Sequence, residues 1–172
     1  MASKFINYTK HGVAESTLLK ATKVGHHFNA VSDVDIDNGS VCVLGDYVKS
    51  DVFKTKIPTV GDAVHLVLTA PKIYEEYESR MQEESNFYNA AGENMRLYEI
   101  SKYDRFTLSK EAFANDAVLA VGKYVYVDGT GYKLTTGEKP AMATYGFVGH
   151  IYAIANNGNY RVFVDKNEQV YA

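Results

Sequence analysis

At 172 residues the chain is long enough to bury a core without disulfides, and its 46% apolar and 23% charged content excludes a disordered polymer. A net charge of -3 gives no general attraction to phosphate backbones, so nucleic acid is not expected as a main partner. No apolar run approaches the roughly 18 residues that span a bilayer, and "MASKFINYTKHGVAEST" lacks the apolar stretch of a signal peptide, so a soluble protein made in a cytoplasm is expected, with no membrane partner. The composition is rich in rings: 14 Tyr and 8 Phe, with no Trp, a balance that favours strands and half-wet contact surfaces.

Residues 1–25 mix Lys, Thr, Ser and Asn with isolated apolar positions, and neither a helical nor a strand period is sustained. The segment reads as an extended N-terminal arm, or as a frayed terminus. From His26 onward the text becomes short strands and turns. "GSVCVLGD" follows the turn Asp37-Asn38-Gly39, and "AVHLVLTA" follows Val60-Gly61-Asp62. Cys42, the single cysteine, has no internal partner and reads as a small buried hydrophobe.

One stretch departs from this rhythm. "PKIYEEYESRMQEESNFYNAAGE" opens on Pro71, spaces Ile73, Tyr77 and Met81 four residues apart, and ends near Gly92. It predicts a short acidic helix or a long acidic excursion with a solvated glutamate face. Strands then resume in "MRLYEIS", "RFTLS", "GKYVYVDG", "YGFVGHIYAIA" and "YRVFVDK". Val121 to Pro140 reads as a hairpin around Asp128-Gly129-Thr130-Gly131. Asn156-Asn157-Gly158-Asn159 predicts a second, terminal hairpin. The predicted fold is mainly β: a small barrel or sandwich over 26–172, behind an arm over 1–25. A division into two small β units, about 26–70 and 93–172 joined by 71–92, is an alternative.

Chemistry is harder to find. His26 and His27 are adjacent and would point to opposite faces of a strand, and His11, His65 and His150 lie far apart, with no HExxH. There is no G-x-S-x-G elbow and no Walker sequence. Asp33, Asp35 and Asp37 in "SDVDIDNGS" would share one strand face and could attract Ca²⁺ or a basic partner. An EF-hand does not fit, because Gly39 falls one position late and Leu44 stands twelfth. The plainer reading is a polar turn. Stacking of bases on Tyr98, Phe106, Tyr124 and Tyr126 is opposed by Glu99, Asp104 and Asp128, which lie as near as Lys123, Lys133 and Arg96. No catalytic, cofactor-binding or metal-ligating residue is assigned, and no enzyme is expected.

The order of signals from Leu66 to Lys166 resembles that of the auxiliary head proteins of tailed bacteriophages, the decoration or cement proteins. The positions that carry the resemblance are Thr69-Ala70-Pro71, Ala91-Gly92, Arg96-Leu97-Tyr98, Asp104-Arg105-Phe106 and Val121 to Val125, with Tyr103 where the pattern expects Gly. The resemblance implies a mostly β protein bound to the outside of an assembled capsid, stabilising contacts between major capsid subunits, with no catalytic residue. It further implies a virion location after synthesis in the bacterial host and the major capsid protein as partner, with self-association as a homo-oligomer an alternative contact. Phe5, Tyr8, Leu18 and Leu19 are the expected anchors of an arm reaching a neighbouring subunit. A head fibre, tail or connector component is an alternative of the same class. A carbohydrate-binding module with tyrosine platforms is an alternative of another.

Overall fold

Alternating apolar positions demand sheets, and the chain divides its strands between two of them. The computed structural model describes residues 10–71 and 83–171. The described residues are mainly β: β1 (Ala14–Glu15), β2 (His27–Val31), β3 (Val41–Lys49), β4 (Val52–Lys56), β5 (His65–Val67), β6 (Asn94–Glu99), β7 (Arg105–Leu108), β8 (Tyr124–Tyr126), β9 (Thr135–Gly137), β10 (Phe147–Ile154) and β11 (Tyr160–Asn167). They contain one short α-helix, α1 (Lys20–Val24), and 3-10 turns at Glu84–Asn86 and Lys110–Ala112.

Strands β2 to β6 close into a barrel in the order β2-β4-β3-β5-β6, and β1 joins the later strands in a six-stranded sheet ordered β1-β7-β11-β10-β8-β9. The barrel closes because β2 pairs parallel with β4 on one side and antiparallel with β6 on the other. Alternation sorts the side chains. Ala30, Cys42, Val67, Met95 and Leu97 form one cluster with Phe28 and Leu44 packed against it. Val41 and Leu66, of opposite parity, join Phe106, Leu108, Val125, Phe147, Ile151, Val162 and Val164 in a second and larger cluster. One flank of the barrel and the inner face of the sheet thus share a single core. Each fully buried ring or branched side chain there contributes about 1.5–3 kcal/mol.

This shared core corrects two expectations. The chain passes from the barrel to the sheet between Glu99 and Arg105, not across residues 71–92. β5 and β6 are neighbours in one barrel, so the acidic excursion is an insertion between paired strands. The described part of the arm, residues 10–25, is built into the body. Ala14 and Glu15 pair with Leu108 and Thr107, Ser109 N–H donates to the Val13 carbonyl, and Leu19 is fully buried in the larger cluster. Asp104 completes the seam, its carboxylate accepting from the Lys20 N–H at the start of α1 (3.0 Å) and from the Ser101 N–H (2.8 Å). A two-residue strand and a five-residue helix are too short to show a period, which hides this docking in the sequence. The helix expected near 71–92 falls mostly on 72–82, outside the described residues.

Both expected hairpins form. Tyr124 to Tyr126 pairs with Thr135 to Gly137, and Asp128 folds the connecting loop by accepting from the Thr130 N–H and hydroxyl, each at 2.9 Å. β10 and β11 pair around the Asn-rich loop. Tyr103 has a φ of +72°, so the residue that departs from the resemblance adopts the left-handed conformation that glycine takes without strain.

Candidate interaction surface

Several charged side chains satisfy one another. Lys54 meets Asp33 at 2.9 Å and Lys56 meets Asp46 at 3.4 Å, while Lys123 pairs with Glu138. The three aspartates of "SDVDIDNGS" do not share a strand face, because β2 ends at Val31. Asp33 turns to Lys54, and Asp35 accepts from the Ala91 N–H at 2.9 Å. Asp37 takes both His11 (2.7 Å) and Lys133 (3.0 Å). The polar-turn reading describes them. Among the described residues no group of three or more His, Cys, Asp or Glu is arranged to hold a metal ion.

A cleft of about 110 Å³ lies between Val13, Asn38, Leu68, Thr69 and Glu84. Small-molecule sites enclose roughly 300–1,000 Å³, so this one is too small to surround a substrate.

Inside the barrel, burial pushes the Cys42 thiol up to about 12, which makes it a poor nucleophile. At one barrel end, His26 pairs with Glu99, and His65 stands edge-on to Phe28. Burial lowers the His65 pKa, against the opposing pull of Glu99 and of a bond to the Cys42 backbone. The Nδ1 of His65 is buried without a hydrogen-bond partner. The register His65↔Glu99 brings together groups that stand 34 positions apart in the chain.

The outer face of the six-stranded sheet is different. With Phe106, Val125, Ile151, Val162 and Val164 turned inward, alternation turns Arg105, Tyr124, His150, Tyr152, Arg161 and Phe163 outward. The register aligns Arg105, Phe163, His150 and Tyr124 in one row across β7, β11, β10 and β8. Ring centroids are 5.3 Å apart between His150 and Phe163, 6.2 Å between Tyr124 and His150, and 6.4 Å between Tyr152 and Phe163. Tyr103, 66% exposed, extends the row from Phe163, with Lys102 over its ring. His150 Nδ1 lies 2.7 Å from an Asp165 carboxylate oxygen, which fixes the imidazole within the row. Arg105 and Arg161 are exposed, and neither makes a hydrogen bond or an ion pair among the described residues.

The expected contact residues fare unequally. Phe5 and Tyr8 lie outside the described residues. Leu18 is 45% exposed, but Leu19 is fully buried in the shared core and is therefore not available to a partner. The aromatic set considered for bases does not form one face. Phe106 is buried, Tyr98 packs against the same core, and only Tyr124 and Tyr126 face outward. What sequence reasoning missed is the row itself. "YRVFVDK" does place Arg161, Phe163 and Asp165 on one face, yet only the strand order adds Arg105, His150 and Tyr124 to them.

No family model matches the chain, and neither a search of curated proteins nor one of solved structures finds a match.

Proposed function

We propose that this protein is an adhesive structural component, a decoration protein on the outer surface of a tailed-phage capsid that holds neighbouring major capsid subunits together. The observation that carries the reading is the outer sheet face, where a continuous row of half-exposed rings stands on a rigid antiparallel frame. Ring-rich patches with arginine are the usual hot spots of protein contacts, and repetition on a lattice multiplies weak contacts into strong attachment. Within the row, His150 is held by Asp165, as befits a surface that acts through shape.

The test is to purify particles from a lysate of the bacterium in which the coding sequence is expressed during infection and to probe intact heads with antibody. Labelling on the outside of heads is the expected result. Protein found only in the soluble fraction overturns the reading, and labelling of tails alone transfers it to a tail or connector component. The same row favours one second reading, a glycan-binding module, since Tyr103, Tyr124 and Tyr152 reach this face. Retention on cell-wall glycans in the absence of head labelling would select it.

A further inference from the structure

The row of rings is flanked by two cations whose position specifies the chemistry of a partner. Arg105 pairs in register with Phe163, and Arg161 with Thr107, so the two arginines are diagonal neighbours on one face of β7 and β11. Diagonal side chains on a sheet stand about 7–8 Å apart. Both are exposed, and like charges at that distance repel. Four lysines pair with carboxylates among the described residues, as Lys54 does with Asp33 and Lys133 with Asp37. Among the described residues neither arginine forms an ion pair: Asp165, the outward carboxylate on β11, is held by His150, and Glu15, which faces Thr107 from β1 and is a diagonal neighbour of Arg105, does not pair with it.

The geometry points to the outer face of the six-stranded sheet as a docking surface for an acidic protein segment, its carboxylates clamped by Arg105 and Arg161 and its backbone lying over Phe163 and His150. This rests on the adhesive reading and names the partner's chemistry. A guanidinium fork matches a carboxylate with two parallel hydrogen bonds, so two forks select a segment with two carboxylates at a similar separation. The face suits protein better than a nucleic-acid strand. A strand needs a track of cations and flat, open ring faces. Here the only further cation at the row among the described residues is Lys102 over Tyr103, Asp165 and Glu15 stand on the same sheet, and the rings tilt against one another, at 85° between Tyr152 and Phe163, 56° between Tyr124 and His150 and 36° between His150 and Phe163.

The experiment uses the full chain and two labelled probes of equal length, an octaglutamate peptide and octathymidylate, at low salt. The expected result is that octaglutamate binds more tightly than octathymidylate, and that replacing both Arg105 and Arg161 by Ala weakens it at least tenfold. Replacing Arg96, an exposed arginine on the barrel, should leave it unchanged. Equal loss on replacing Arg96, no binding of octaglutamate, or tighter binding of octathymidylate overturns the inference. Circular dichroism of the double variant should match the parent, because neither arginine side chain has a partner to lose among the described residues. Head occupancy separates this inference from the one beneath it. If the parent fails to label heads but binds octaglutamate through the pair, the capsid reading fails alone. If parent and double variant occupy heads equally, the docking surface fails and the capsid reading stands.

Discussion

The barrel and the sheet are built from strands of similar length, yet they dispose of their surfaces in opposite ways. Closure leaves the barrel without a free edge, and its interior is filled by its own small cluster around Cys42, Met95 and Leu97. The sheet stays open, with one face sealed in the core it shares with the barrel and the other presenting the arginine and ring row. The barrel therefore backs one face of the sheet, and the sheet's other face is the surface proposed for a partner. Division of labour of this kind requires that the two parts cannot move independently.

Phe147→Ala tests that requirement most severely, since Phe147 is fully buried in the shared core. It should destabilise the protein by about 3–5 kcal/mol. Urea unfolding followed by tyrosine fluorescence and by far-ultraviolet circular dichroism should still give one coincident transition, whereas two separated transitions would show that barrel and sheet unfold apart. Gly39→Ala acts at the seam itself. Gly39 has a φ of +86° and donates to the Val67 carbonyl. An added Cβ would stand 2.8 Å from Ala112 and 2.9 Å from Leu108. Backbone strain and overpacking together should cost about 2–4 kcal/mol, read from the urea midpoint.

His65→Leu addresses the barrel alone. It removes the orphaned Nδ1 together with the bond to the Cys42 backbone, so the net change in stability at neutral pH should stay within about 1 kcal/mol. Its pH dependence follows from the lowered pKa of the buried imidazole. Above the ordinary histidine value of about 6.5 both folded and unfolded states are neutral there, and the group has no effect. As the pH falls below that value the unfolded chain takes up a proton that the folded one resists, so stability declines until the folded value is passed. The parent should lose stability more steeply than His65→Leu between neutral pH and pH 5, and parallel profiles would remove His65 from this role. The smallest effect is expected at the β3–β4 turn, where Ser50 and Asp51 both have positive φ, at 46° and 60°. Asp51→Gly relieves that strain and should raise the urea midpoint by the equivalent of about 0.5–1 kcal/mol.

That turn also shows where the sequence becomes hard to read. The hairpins at Asp128-Gly129 and Asn157-Gly158 are legible because their residues tolerate the backbone that the turn needs. Ser50-Asp51 makes a two-residue hairpin without a glycine, so β4 carries no announcement even though it completes the barrel. Strand identity elsewhere follows from alternation, as in β10 and β11. Strand order does not, because it depends on pairings such as β2 with β4 that no local pattern encodes. The interaction surface suffers from the same limit. Each strand's outward residues can be read singly, but the adjacency of Arg105 and Arg161 exists only after β7 has found β11. Leu19 marks the reverse error, an isolated leucine in a polar segment that reads as an anchor for another molecule and instead plugs its own core.

The sealed position of Cys42 has a practical consequence. With its sulfur enclosed by the barrel wall and its acidity suppressed, the thiol can meet an alkylating reagent only when strands part. The rate of its modification by iodoacetamide in native buffer is therefore a clock for barrel breathing, one that needs no engineered label and runs undisturbed while the opposite face of the molecule is occupied.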